Sequence, residues 1–235
     1  MKTSLISAAI LALALPAFAE GTVDTSAWNQ GGGEQDEALH LTPNHENGIM
    51  TYEVCSACHQ LNGWGLTDGT FPQIAGQHFT VIIKQLADIR ALNRDNPTMY
   101  PFALPSEIGG SQSIADVAEY ISKLPMNPEN GVGPGDDLEH GAKLYAENCM
   151  RCHGERGEGD NDKFYPRIQG QHYAYLIRQY QWIKEGKRRN ANPDMVQQIQ
   201  GFTDKDTAAV LDYVSRLKPD PELLAPVGWE NPDFQ

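Results

Sequence analysis

The chain is short of several things that define large protein classes. It has four cysteines in 235 residues, too few for a disulfide-rich scaffold, and they come in two tight pairs instead of being spread along the sequence. No apolar stretch approaches the roughly 20 residues that a membrane-spanning helix needs; the longest, Leu5 to Leu15, is eleven residues. Basic side chains are scarce, 18 Lys and Arg against 31 Asp and Glu, for a formal charge of −13. Such a surface repels nucleic acid and anionic lipid and suits a basic protein partner or simple solubility. Alternation of apolar and polar residues with period two is missing too, so no strand is expected.

What is present begins with a leader. Lys2, the apolar run and Ala17-Phe18-Ala19 fit a secretory signal cleaved after Ala19. The mature chain is then expected to begin at Glu20, exported and without a lipid anchor. Residues 20–46, with Gly31-Gly32-Gly33 and the acidic Glu34, Asp36 and Glu37, lack periodicity and read as a flexible acidic extension.

The four cysteines lie in two copies of one string: Cys55-Ser56-Ala57-Cys58-His59 and Cys149-Met150-Arg151-Cys152-His153. Cys-x-x-Cys-His is the signature of c-type haem attachment, with two cysteines on the haem edge and the histidine beside the iron. The surroundings repeat as well. Gly48 and Tyr52 recur as Gly141 and Tyr145, and residues 71–78 recur as 165–172. The amphipathic face Phe79, Ile82, Ile83, Leu86 recurs as Tyr173, Leu176, Ile177, Tyr180. The Asn-Pro-x-Met loop carrying Met99 recurs at Met195, and the helix face Val117, Ala118, Ile121, Leu124 recurs as Val210, Leu211, Val214, Leu217. Offsets of 93 to 96 across five elements mark an internal duplication. The expected organisation is an all-α pair: signal 1–19, extension 20–46, domain 47–125, a Pro- and Gly-rich linker 126–135, domain 136–218 and a tail 219–235 along the surface.

Two covalent haem c groups account for all four cysteines and for His59 and His153 as axial iron ligands. A sixth ligand has to come from elsewhere in each unit. Met99 and Met195 recur as a pair, whereas Met50 and Met126 have no counterparts and Met150 sits inside a motif. A thioether stabilises ferrous iron and closes the metal to substrate, which suits electron transfer; the competing use of methionine is core packing. His78 and His172 also recur and offer a bis-histidine alternative, although their place at a helix start favours capping, packing or propionate contact. Pro72 and Pro166, each 13 residues after an axial histidine, are placed to offer a carbonyl to the ring nitrogen facing away from iron.

Charge differs between the copies: residues 20–130 carry 14 acidic and 4 basic side chains, residues 131–235 carry 17 and 13. Lys184, Lys187, Arg188 and Arg189 precede Met195, against Arg90 and Arg94 in the first copy. They read as a solvated face or as partners of haem propionates, and predict the higher potential for the second haem. A zinc site of four cysteines would leave the paired histidines and methionines idle, and a thioredoxin-type site needs a βαβ context.

On these motifs the stretch 47–218 resembles a dihaem cytochrome c of the cytochrome c4 type. The resemblance implies two class I cytochrome c domains and a periplasmic carrier between a respiratory donor (a quinol-oxidising complex or dehydrogenase) and a terminal oxidase or reductase, with docking at membrane complexes among its partnerships. It strengthens Met99 and Met195 as ligands. It also admits a second reading, a dihaem subunit of a periplasmic dehydrogenase such as a sulfide-oxidising flavoprotein complex. An enzyme in its own right, a peroxidase or thiosulfate dehydrogenase, is disfavoured by the matched methionine loops. Gln60, where glycine is usual, and the long extension depart from the family pattern.

Overall fold

A computed structural model describes residues 26–28 and 31–235; the expected signal segment lies outside the described residues. Eleven α-helices are seen among them: α1 Gly33–His40, α2 His45–His59, α3 Phe79–Arg90, α4 Tyr100–Ala103, α5 Pro105–Ile108, α6 Ser111–Lys123, α7 Leu138–Asn148, α8 Met150–His153, α9 Tyr173–Lys184, α10 Pro193–Ile199 and α11 Asp204–Ser215. The described residues form no strand beyond the isolated bridges Met126–Leu224 and Asp160–Tyr165. This is the all-α arrangement expected.

Each copy is built on a crossing of its first and last long helices, α2 on α6 and α7 on α11. Glycine makes both crossings possible. A Cβ on Gly48 would lie 2.5 Å from the Asp116 carbonyl oxygen, and one on Gly141 2.2 Å from that of Ala209. Two apolar cores result, one around Tyr52, Ile83, Ile114 and Tyr120, the other around Tyr145, Leu176, Val210 and Val214.

The extension is corrected over its described part. Residues 33–40 are helical and pack on α3 and α6, with Ala38 fully buried. Three polar contacts hold the segment: Glu34 pairs with Arg90, Ser111 Oγ donates to Glu37 at 2.6 Å, and Lys84 Nζ sits 5.0 Å from the Trp28 ring centroid. Local periodicity is weak because one small residue makes the central contact; tertiary pairing supplies the rest.

The linker and tail are also fixed. Met126 is buried and exchanges backbone hydrogen bonds with Leu223 and Ala225 (2.7 and 2.9 Å). The tail then crosses from the second copy to the first. Trp229 packs on Trp64 with centroids 5.9 Å apart, Phe234 packs on Tyr52, and buried Asn231 donates to the Leu61 carbonyl (2.7 Å) and the Tyr120 hydroxyl (2.8 Å).

Candidate functional site: two haem pockets opening into one cavity

The first Cys-x-x-Cys-His string forms the last turn of α2; the second runs through the kink at Cys149 (φ −114°) into α8. Helical spacing puts the two cysteines and the following histidine on one face. All four cysteines are free and partly buried, and burial pushes the Cys55 and Cys149 thiols up to about 12 and about 11. Among the described residues no three His, Cys, Asp or Glu side chains gather to hold a metal ion by themselves.

His59 and His153 are buried, and each ring is oriented by one contact. Nδ1 of His59 lies 2.9 Å from the Pro72 carbonyl oxygen, and Nδ1 of His153 3.0 Å from that of Pro166. A carbonyl only accepts, so Nδ1 must donate, leaving the Nε2 lone pair free for a metal. Burial holds both imidazoles below their ordinary pKa against the opposing pull of those carbonyls, so both stay neutral.

The supporting loop admits no side chain at one point. Gly65 (φ 66°) and Gly159 (φ 73°) donate to the His59 and His153 carbonyls. A Cβ there would fall 2.4 Å from the Pro72 oxygen and 2.7 Å from the Pro166 oxygen, the same atoms that orient the histidines.

The methionine loops are partly helical. Met99 is the residue before α4, its N–H held by Asn96, and Met195 is the third residue of α10, after the cap Asn192. Each packs on the core of its own copy. Cys55, Cys58, His59 and Met99 line the same cavity as Cys149, Cys152, His153 and Met195. Its volume is about 610 Å³, well within the range of organic cofactor sites, roughly 300–1,000 Å³. Apolar side chains such as Ile82, Leu86, Ile89, Leu176, Ile183 and Val210 make much of its wall. Free thiols, neutral oriented imidazoles and apolar walls fit haem c in both pockets.

The two pockets meet across an interface with near two-fold symmetry. Gln77 Nε2 donates to the Arg167 carbonyl (2.9 Å) and Gln171 Nε2 to that of Gln73 (2.8 Å). His78 Nε2 reaches the Glu158 carbonyl and His172 Nε2 the Trp64 carbonyl, both at 2.7 Å. The recurring histidines therefore join the copies. Deeper in, Gln85 Oε1 accepts from Arg94 and Arg188 (2.9 Å each), and Gln179 Oε1 accepts from the same two arginines (3.1 and 3.2 Å). Gln85 and Gln179, like Arg94 and Arg188, stand 94 residues apart, the offset of the haem motifs.

The basic cluster before Met195 divides among different tasks. Arg188 faces the cavity, Lys184 donates to the Phe202 carbonyl, Lys187 pairs with Glu185, and Arg189 donates to the Leu92 carbonyl of the first copy. Arg90 is tied to Glu34 and to the Ala103 and Gly109 carbonyls and does not line the cavity. The glutamine–arginine quartet and the interface role of the histidines are not expected from the sequence reading above, although the 94-residue offset is a usable signal for both.

A family model for cytochrome c matches residues 138–218. The cytochrome c4 of Azotobacter vinelandii is 30% identical over 180 residues, covering 70% of this chain and 84% of that protein. The chain belongs to the cytochrome c4 family. The structure of reduced cytochrome c4 from Pseudomonas stutzeri superimposes with a TM-score of 0.66 at 26% identity, covering 75% of this chain and all of that one. A thiosulfate dehydrogenase electron acceptor of Stutzerimonas stutzeri is 28% identical over 70% of this chain and 79% of that protein. This cytochrome is an electron-transfer protein, not an enzyme, and its two Cys-x-x-Cys-His sites fit two covalent haem c groups. No helix among the described residues is long and apolar enough to cross a membrane.

Proposed function

We propose that this cytochrome is an exported periplasmic carrier, with domains at 47–125 and 136–218, that passes single electrons between protein partners. Haem supplies the one-electron chemistry when bound. Cys55, Cys58, Cys149 and Cys152 hold the two groups by thioether bonds; His59 with Met99, and His153 with Met195, close the two irons. The observation that carries this reading is the shared cavity wall: each copy contributes one oriented neutral histidine and one methionine to it. A metal closed on both faces exchanges electrons without binding substrate. The test is spectroscopic. Both haems of the purified oxidised protein show the methionine-to-iron charge-transfer band, and the amino terminus of the mature protein reads from Glu20. A missing band in one haem overturns the ligand pair for that copy.

The donor class is a periplasmic dehydrogenase or quinol-oxidising complex, and the acceptor a terminal oxidase or reductase. The relative named as a thiosulfate dehydrogenase electron acceptor supports the dehydrogenase branch. Rapid mixing with such a dehydrogenase and its substrate reduces both haems; stable co-purification with a catalytic subunit would favour the subunit role instead. The second haem has the higher potential. Arg167 and Arg178 line the cavity; of their counterparts in the first copy, Gln73 is neutral and Lys84 lies outside the lining, paired with Asp88 at 2.8 Å. Haem-resolved potentiometry that finds the first haem higher would contradict this.

A further inference from the structure

The glutamine–arginine quartet in the cavity wall is electrically unbalanced. Arg94 and Arg188 are anchored only by neutral acceptors, the oxygens of Gln85 and Gln179, with the Tyr175 hydroxyl 3.2 Å from Arg94 Nη2. Among the described residues neither guanidinium has a carboxylate ion-pair partner, and buried Asp88 is engaged by Lys84 (2.8 Å) and Asn190 (2.7 Å). The Nε of each arginine is buried and without a hydrogen-bond partner. Two charge-bearing donors are thus held side by side at a cavity wall with donor capacity unspent, an arrangement that is unfavourable unless an anion completes it. The surroundings report the imbalance. Burial and the neighbouring Arg94 push Arg188 down to about 9, while the charges of Arg94, Arg188 and Arg178, with the hydrogen bond from Arg94, outweigh burial at Tyr175 and hold its phenol below the ordinary value.

The anchoring is also crossed between the copies. Each glutamine binds the arginine of its own repeat and that of the other, so neither guanidinium belongs to one pocket alone. Arg94 lines the cavity with Cys55 and His59 of the first copy while bonding Gln179 and Tyr175 of the second. Resting on the reading that both pockets hold haem, we infer that Arg94 and Arg188 form one shared carboxylate-binding bridge that takes propionate groups of both haems and sets the two potentials jointly. Positive charge beside a haem favours its less positive, ferrous form. Either arginine then raises both potentials, and loss of either lowers both.

The test is potentiometric titration of the holo-protein, resolved into two one-electron waves. Unit charges on the order of 10 Å apart at an effective dielectric of about 20 shift an equilibrium on the order of tenfold. That is about 59 mV for a one-electron couple. Arg94→Gln and Arg188→Gln are each expected to lower both potentials on this scale, and Arg94→Lys, which keeps the charge, to restore most of the loss. A shift confined to one haem, or no shift, overturns the shared bridge. A measurement on the unaltered sequence removes dependence on folding: redox difference infrared spectra with and without carbon-13 in the arginine guanidinium. Arginine bands that respond to reduction of both haems support the bridge, and bands silent to either one sink it. Absence of two c-type haems from the purified protein would defeat the functional reading itself; two intact haems with independent responses defeat only the bridge.

Discussion

Gln60 leaves the first haem-binding helix at φ 66° and ψ 162°, a region that residues other than glycine rarely occupy. Its counterpart Gly154 adopts φ 81° and ψ 172° after the second motif, so the two copies share the geometry although only one has glycine there. The conformation is fixed by what surrounds it. The Gln60 carbonyl accepts from the buried Tyr52 hydroxyl at 2.7 Å, as the Gly154 carbonyl does from Tyr145 at 2.6 Å. Strain of this kind costs about 1–3 kcal/mol, and glycine returns about 0.5–1 kcal/mol of it through the greater freedom of its unfolded chain. Gln60→Gly should therefore stabilise the holo-protein by about 1 kcal/mol, or about 2–4 °C in Tm for a chain of this size. Guanidinium unfolding followed by helical circular dichroism measures it, with an unchanged slope showing that the compactness of the unfolded state is unaltered. Gln60→Ala serves as the control and should gain little, because the strain stays. A Gln60→Gly protein no more stable than the parent refutes the argument.

Three further outcomes follow from the same contacts. The His172 ring accepts from the Gly131 N–H at Nδ1 (3.0 Å) and donates from Nε2 to Trp64, so only the neutral form fits. Burial holds His78 and His172 below their ordinary pKa; the interface is then at full strength above the unfolded value of about 6.5 and weakens as pH falls below it. Unfolding midpoints between pH 8 and pH 5 should show that loss, and His172→Asn should flatten it. Met99→Ala should lower the potential of one haem and abolish its charge-transfer band while leaving the other in place, and Met195→Ala should do the reverse. Asn231→Ala, which strips buried hydrogen bonds to Leu61 and Tyr120, should cost about 2 kcal/mol, or about 4–8 °C in Tm.

The haem strings, the duplication, the long helices and the carbonyls of Pro72 and Pro166 were legible because each rests on local spacing. Phe79 to Arg90 forms a helix where its apolar face predicts one, and Pro125 follows the end of α6 as expected. The extension was illegible for the converse reason: α1 is held by Arg90 and Ser111, residues 56 and 74 positions away, and only Ala38 of it is deeply buried. The tail was half legible. Its prolines exclude a long helix, and Pro221 and Pro232 each open a single 3-10 turn, but nothing local says that Asn231 and Trp229 return to the first copy. Arg94 and Arg188 are illegible as a pair from local pattern because their pairing is tertiary, through Gln85 and Gln179, and only their equal spacing from the two haem motifs marks it.

The central claim, two closed haems in one shared cavity, is tested most directly by haem quantification together with the absorption spectrum of the oxidised holo-protein. The account predicts two haem c groups per chain and a methionine-to-iron band of the strength expected for two centres. One haem per chain, or a spectrum without that band, would contradict it.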